Sequence, residues 1–181
     1  MRFPKLAAAC TLTLLAIPAA AVAQDATCYS SPGFVVAALE NTENAGTRFS
    51  ILPAGAVGSD TCRFDAAGDY VIGDGEDPIW FAALAGNMLV LSRSTGPQGD
   101  LVVHDLASRK IVLDVPADDF TADPKGITFW ERAEEANASN CPEFAEHQAN
   151  GLGAVISLES RFDFTSAAVT RTGKSRCDAT Q

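Results

Sequence analysis

The clearest pattern in the chain is an alternation of residue types between positions 156 and 164. A set suited to a core alternates with a set suited to water: Ile156, Leu158, Ser160, Phe162 and Phe164 against Ser157, Glu159, Arg161 and Asp163. A period of two is typical of a strand with one buried face. Residues 167–172 are predicted to return antiparallel to this strand and to lead to Cys177.

Two hairpins are predicted upstream of this strand. They are formed by residues 79–84 with 88–92, and by residues 101–106 with 110–115. Ala85-Gly86-Asn87 separates the first pair and Ala107-Ser108-Arg109 the second, and such residues are common in tight turns. Ile127–Trp130 adds a further short strand. From Phe49 onward the chain therefore favours strands.

One helix is predicted, beginning near Cys141. Asn140 suits an N-cap, Pro142 and Glu143 suit the first turn, and Gly151 ends the segment soon after His147. The chain has no internal repeat, which excludes a propeller of several blades. We therefore expect a mainly β fold, an antiparallel sandwich or barrel with one short helix, stapled by disulfides.

The N-terminus has the layout of a secretory signal peptide. Arg2 and Lys5 precede an apolar run from Leu6 to Ile17, and Ala21-Val22-Ala23 supplies small residues before a cleavage site. We expect residues 1–23 to be a signal peptide and residues 24–181 to form a single exported β domain. The predicted location is periplasmic or secreted.

The chain is acidic. It has 13 Lys and Arg residues against 23 Asp and Glu residues, for a net charge of −10. Removing residues 1–23 takes away two basic and no acidic residues, so the charge becomes −12. This balance argues against nucleic-acid binding, which needs a basic surface. No other apolar run reaches the roughly 18 residues of a membrane span, so the mature chain is expected to have none.

The mature chain keeps an even number of cysteines, which in an exported protein predicts two disulfides. Three pairings are possible, and we favour Cys28–Cys62 and Cys141–Cys177, since each closes a local loop of about 35 residues. No two cysteines are two to four residues apart, and neither histidine is spaced to join them as a zinc set. We therefore predict no metal site and no cofactor.

The two histidines are the first candidates for chemistry. His104 shares a strand face with Val102 and Leu106, whereas Asp105 points the other way and cannot orient it. His147 is predicted to face solvent on the helix. Neither is assigned a catalytic role, although carboxylates brought together by folding could form a hydrolase site.

The segment Ser92–Asp100 is the most informative part of the sequence. It joins two predicted strands but is longer and richer in Ser and Gly than a hairpin needs, and such loops often carry binding residues. The candidate binding residues are Ser92, Arg93, Ser94, Gly96 and Gly99. Ser94 would hydrogen-bond a partner and Gly96 would let the backbone approach it. Arg93 is expected to pair with Asp100 and brace the loop.

Residues Leu89–Leu113 also carry a resemblance to a known family. An apolar strand, Arg93-Ser94-Thr95-Gly96, and a second apolar strand resemble the inhibitory-loop region of periplasmic lysozyme inhibitors, especially those against invertebrate-type lysozymes. The resemblance implies a small exported β protein that inserts a Ser/Gly-rich loop into the lysozyme cleft. Pro97-Gln98-Gly99 stands where that family has a loop aromatic, so the chain departs from the pattern there.

These observations favour a non-catalytic exported protein that binds a macromolecular partner. A charge of −12 would speed its encounter with a cationic protein such as a lysozyme. The alternatives are a structural component of the cell envelope and a hydrolase whose carboxylates are assembled by folding.

Overall fold

The computed structural model describes residues 26–55, 63–65 and 70–181. The predicted signal peptide, residues 1–23, lies outside the described residues, as does Cys62. The described part forms twelve strands and one short helix.

The strands form three antiparallel sheets, and in each sheet four consecutive strands lie side by side in chain order. Sheet 1 contains β1 (Thr27–Ser30), β2 (Phe34–Glu40), β3 (Thr47–Pro53) and β4 (Val71–Ile72). Sheet 2 contains β5 (Ile79–Ala85), β6 (Met88–Arg93), β7 (Asp100–Asp105) and β8 (Lys110–Val115). Sheet 3 contains β9 (Phe120–Asp123), β10 (Gly126–Glu135), β11 (Gly153–Asp163) and β12 (Ala168–Thr180).

The core has two main clusters, one on each face of sheet 2. The first cluster joins sheets 1 and 2, and includes Val36, Phe49 and Ile51 together with Leu89, Leu91 and Val102. The second joins sheets 2 and 3, and includes Val90, Leu101 and Val103 together with Ile127, Phe129 and Phe162. Sheet 2 is therefore the middle of three layers. Its strands β6 and β7 are continuous apolar runs because both of their faces are buried.

The predicted fold class is confirmed, since the chain is mostly antiparallel β with one short helix. Both predicted hairpins are present as β5–β6 and β7–β8. The described strands form three stacked sheets, which is a layered arrangement like a sandwich rather than one closed barrel. The strand predicted at 127–130 extends to Glu135, and the return strand at 167–172 extends to Thr180.

The helix α1 (Phe144–Ala149) begins later than expected. Its N-cap is Glu143, which makes no side-chain capping hydrogen bond. The expected N-cap role of Asn140 is wrong: its Oδ1 accepts from the Asn137 N–H at 2.7 Å, and its Nδ2 donates to the Glu135 carbonyl at 3.2 Å. These bonds shape the turn between β10 and α1. Gly151 follows the helix with φ of +74°, the conformation in which glycine commonly ends helices.

Candidate binding site

The loop between β6 and β7 is shorter than the sequence suggests. Ser92 and Arg93 belong to β6 and Asp100 begins β7, so the loop proper is residues 94–99. Within it, the three residues Thr95, Gly96 and Pro97 are exposed and form the apex. Of the predicted binding residues, Ser94, Gly96 and Gly99 therefore lie in the loop, while Ser92 and Arg93 lie on the strand that supports it.

Arg93 anchors the start of this loop by contacting three carboxylates. Its Nε donates to Asp77 at 3.1 Å, and its Nη1 and Nη2 donate to Asp114 at 3.0 and 3.2 Å. Its Nη1 also lies 3.6 Å from Asp100, so the predicted pairing with Asp100 is confirmed. Because the partners lie just before β5, on β7 and on β8, one guanidinium ties together the end of sheet 2 from which the loop leaves.

The side chain of Ser94 is used inside the loop. Its hydroxyl lies 2.6 Å from the Gly96 carbonyl and 3.1 Å from the Gln98 carbonyl, and it accepts from the Gly96 N–H at 3.1 Å. Such side-chain to backbone bonds hold tight turns in shape. Ser94 therefore fixes the loop conformation, and the exposed apex is the part of the loop that is open to a partner.

Gly99 allows the loop to close tightly. A Cβ at this position would lie 2.8 Å from the Arg93 carbonyl oxygen and 3.0 Å from the Ser94 Cβ. A Cβ at Gly96, in contrast, would have no atom of the described residues within 4 Å. Gly99 is needed for packing, whereas Gly96 leaves open space at the apex.

A second arginine anchors the end of the loop from sheet 3. Arg132 on β10 donates from Nη2 to the Gly99 carbonyl, and its Nη1 pairs with Asp118. Its Nη2 also lies 3.8 Å from Asp100, the residue that Arg93 approaches from the other side. The loop is therefore held at both ends by guanidinium groups from two different sheets.

Both tryptophans of the chain lie beside this loop. Trp80 on β5 is 37% exposed, and its indole N–H donates to the Ser94 carbonyl at 3.3 Å. Trp130 on β10 lines a cleft whose other wall includes Pro97 and Gln98. These tryptophans were not among the predicted binding residues, although each lies in a predicted strand and tryptophan is enriched at protein interfaces.

The cleft beside the loop, called here the Trp130 cleft, has a volume of about 300 Å³. Its floor includes a row of three residues that lie opposite one another on neighbouring strands: Arg132 on β10, Ser157 on β11 and Arg176 on β12. Directly opposed residues of antiparallel strands point to the same face. Ser157 was expected to face water, but it is only 1% exposed, so that expectation is wrong.

Arg176 contacts both the aromatic side chain and two carboxylates of the cleft. Its guanidinium carbon lies 4.3 Å from the centre of the Trp130 ring, within the range of a cation–π contact. Its Nη1 donates to Asp119 at 2.7 Å and its Nε donates to Asp178 at 2.9 Å. These bonds hold the Trp130 ring and two carboxylates in fixed positions around the cleft.

The cleft is where folding brings carboxylates together. Asp118, Asp119 and Asp178 all line it, as a hydrolase site would require. Each of them, however, is paired with an arginine of the same cleft. These ion pairs hold all three carboxylates against the guanidinium groups of the cleft.

His104 lies near the Arg93 cluster. Burial lowers the pKa of its imidazole below the usual 6.5, and the Arg93 guanidinium lowers this pKa further, while Asp77 and Asp114 act in the opposite direction. The ladder between β7 and β8 shifts register between Val103 and His104. The imidazole is half-buried, which agrees with a packed strand histidine.

The disulfide Cys141–Cys177 is confirmed, with a Cα–Cα distance of 5.5 Å. It joins the segment before α1 to β12. Cys28 is also disulfide-bonded. Its predicted partner, Cys62, lies outside the described residues, so the Cys28–Cys62 pairing stays a prediction.

His147 is placed differently from the sequence expectation. A ring nitrogen of His147 and the sulfur atoms of Cys141 and Cys177 lie within 4.8 Å of one another. Its Nε2 is buried and has no hydrogen-bond partner in the part of the chain that the structure describes. The expectation that this side chain faces solvent is therefore wrong, because the short helix packs its imidazole toward the disulfide.

Comparisons with known proteins do not extend this picture. No protein-family model matches the chain, and no curated protein and no solved structure matches it either. Among the described residues, no helix has both the length and the apolar character needed to cross a membrane.

Proposed function

We propose that this protein is an exported binding protein whose 94–99 loop contacts a cationic macromolecular partner, as a periplasmic lysozyme-inhibitor-like protective protein would. The observation that carries the proposal is the exposed apex Thr95–Pro97 of a loop that has both tryptophans, Trp80 and Trp130, beside it. Tryptophan and arginine are the residue types that most often dominate binding energy at protein interfaces.

The rigidity of the loop supports the same function. Arg93 and Arg132 hold its two ends, and Ser94 holds its interior. A loop that is already ordered loses less conformational entropy when it binds, so more of the contact energy appears as affinity. An inserted loop of this kind is therefore suited to a preformed cleft on a partner.

The charge around the loop favours a cationic partner. Six carboxylates surround three guanidinium groups here: Asp77, Asp100, Asp114, Asp118, Asp119 and Asp178 against Arg93, Arg132 and Arg176. This excess of negative charge has the same sign as the net charge of the whole chain, which is −10. Long-range attraction to a cationic protein raises the association rate and weakens with added salt.

Export is part of the proposal. The basic, apolar and small-residue layout of residues 1–23 supports a periplasmic or secreted location. The Cys141–Cys177 disulfide agrees with an oxidising compartment, where such bonds persist.

The test uses purified lysozymes of several types, with binding followed by surface plasmon resonance and by inhibition of cell-wall lysis. Gly96→Trp adds a bulky side chain at the apex, and Gly55→Trp is a matched control because a Cβ there also has no described atom within 4 Å. We expect Gly96→Trp to raise the dissociation rate about tenfold, equivalent to roughly 1.4 kcal/mol, and Gly55→Trp to leave it unchanged.

Added salt should slow association of the wild-type protein and of both variants. Absence of binding and of inhibition at micromolar protein, for every lysozyme type, would contradict a lysozyme partner. Unchanged dissociation of Gly96→Trp would show that the loop is not the contact.

A further inference from the structure

The Trp130 cleft contains a buried hydroxyl group that has no hydrogen-bond partner among the described residues. Ser157 is 1% exposed, its Oγ is unpartnered, and the residue lines the cleft between Arg132 and Arg176. Leaving a buried polar group unsatisfied destabilises the folded protein, because the group loses its hydrogen bonds to water and gains none. Buried polar groups are nearly always paired with protein, water or ligand, so this hydroxyl is free to bond a molecule that enters the cleft.

The charges of the cleft define what kind of molecule would fit. Two guanidinium groups and three carboxylates line it, and every one of them takes part in an ion pair. The carboxylates would repel a free anion, and the guanidinium groups would repel a free cation. A neutral molecule with many hydroxyl groups can instead accept from the guanidinium N–H groups and donate to the carboxylate oxygens.

The remaining lining suits the carbon skeleton of such a molecule. Trp130, Leu152 and Pro97 provide apolar surface next to the polar row. The volume of about 300 Å³ lies at the lower end of the range for small-ligand sites, which have apolar walls and a few convergent polar groups. Sugars combine apolar C–H faces with hydroxyl groups on a ring of this size.

We propose that the Trp130 cleft binds a neutral mono- or disaccharide, with its hydroxyl groups bonded to Ser157 and to the Arg176 and Arg132 ion pairs. This site shares Trp130 and Pro97 with the proposed partner contact, but its hydrogen-bonding groups on Ser157, Arg132 and Arg176 lie outside the loop, so sugar binding does not require that contact. Either a free sugar or the end of a polysaccharide chain carries this chemistry.

The test measures the fluorescence of Trp130 in a Trp80→Phe background during titration with glucose, N-acetylglucosamine and their β-1,4-linked disaccharides. Glucuronic acid and glucosamine serve as the anionic and cationic counterparts. We expect saturable binding of at least one neutral sugar, and at least tenfold weaker binding of its charged counterparts. Sedimentation with insoluble chitin and cellulose distinguishes a polysaccharide end from a free sugar, and either source agrees with the proposal.

Ser157→Ala removes the hydroxyl group, and Ser50→Ala is a matched control. Ser50 is also a fully buried serine with an unpartnered Oγ, but it lies on β3 in sheet 1. We expect Ser157→Ala to raise the dissociation constant about tenfold, which corresponds to the loss of one hydrogen bond, and Ser50→Ala to leave it unchanged. Because neither hydroxyl group has a partner, both variants should fold with the wild-type circular dichroism spectrum.

Arg176→Lys provides a second test, since lysine keeps the charge but loses the planar contact with Trp130 and the bond to Asp178 or Asp119. It should also weaken sugar binding. Three results would overturn the proposal: no saturable binding of any neutral sugar in the millimolar range, charged sugars binding as well as neutral ones, or equal effects of Ser157→Ala and Ser50→Ala.

Discussion

Arg132 on β10 donates a hydrogen bond to the backbone carbonyl of Gly99, the last residue of the loop between β6 and β7. This hydrogen bond ties sheet 3 to a loop that belongs to sheet 2. It also places the loop beside the Trp130 cleft, since Arg132 lines that cleft. The loop and the cleft are therefore neighbouring features of one surface, although their residues are distant in the sequence.

The first prediction concerns the two glycines of the loop. Gly99→Ala should lower the free energy of unfolding by about 1–3 kcal/mol, because its Cβ would lie 2.8 Å from the Arg93 carbonyl oxygen. Gly96→Ala should change it by less than about 0.5 kcal/mol, because the added methyl group meets nothing. Urea denaturation of both variants checks this difference. Equal stability of the two variants would show that the loop relaxes around Gly99 without strain.

The second prediction tests whether sheet 2 is the central layer. Leu101 on β7 is fully buried, whereas Ile111 on the neighbouring strand β8 is 51% exposed. Leu101→Ala should lower the free energy of unfolding by about 2–5 kcal/mol through lost burial and a cavity. Ile111→Ala should cost less than about 1 kcal/mol. Chemical denaturation gives both values, and similar costs for the two variants would contradict the three-layer arrangement.

The third prediction concerns the pH dependence of stability. Burial and the Arg93 guanidinium lower the pKa of His104 below 6.5, so on acidification the unfolded chain takes up a proton before the folded protein does. The contribution of His104 to the free energy of unfolding should therefore be constant above pH 6.5 and fall as the pH drops from 6.5 toward the folded pKa. In His104→Gln, the free energy of unfolding should therefore fall less as the pH drops below 6.5.

An NMR titration of the His104 imidazole measures the same effect directly. Its midpoint should lie below 6.5 in the wild-type protein and should rise in Arg93→Met, because a nearby positive charge is removed. Arg132→Met is the matched control, since that guanidinium is not among the charges that shift this pKa. A wild-type midpoint at or above 6.5 would contradict the burial of His104.

The fourth prediction concerns the disulfide between Cys141 and Cys177. Replacing both cysteines by alanine removes a covalent link between two residues that are 36 positions apart in the sequence. In the chain-entropy model, the free energy of unfolding should fall by about 3–4 kcal/mol. The double variant is preferable to a reductant, which would also act on the disulfide of Cys28. A denaturation midpoint equal to that of the wild-type protein would mean that the C-terminal strand is held by its β11 pairing alone.

Features that depend on neighbouring residues were predictable. The hairpin β5–β6 follows from Gly86-Asn87 between two apolar runs, and Gly86 does adopt a positive φ of 57°. The alternation along β11 correctly identified Ile156 and Phe162 as buried. No individual strand was predicted for β1, β2, β3, β4 or β9. Short apolar runs such as 34–39 do not by themselves distinguish a strand from a buried helix.

Features of the site were predictable only in part. The pairing of Arg93 with Asp100 follows from the two ends of one loop lying close together. The contacts of Arg93 with Asp77 and Asp114 depend on how four strands are arranged, which a single sequence does not contain. The alternation along β11 predicts that Ser157 faces solvent. It is buried, however, on a face where Arg132 of β10 and Arg176 of β12 lie directly opposite it.

The sequence was therefore sufficient to establish a disulfide-linked, mainly antiparallel β chain with an unusual Ser/Gly-rich loop, because turn chemistry and a period of two act over a few residues. The stacking of three sheets, the placement of both tryptophans beside the loop and the row Arg132–Ser157–Arg176 came only from the folded chain. These features arise where residues far apart in the sequence meet across sheets. The complete tertiary structure determines which apolar faces pack together, and no local sequence pattern encodes this.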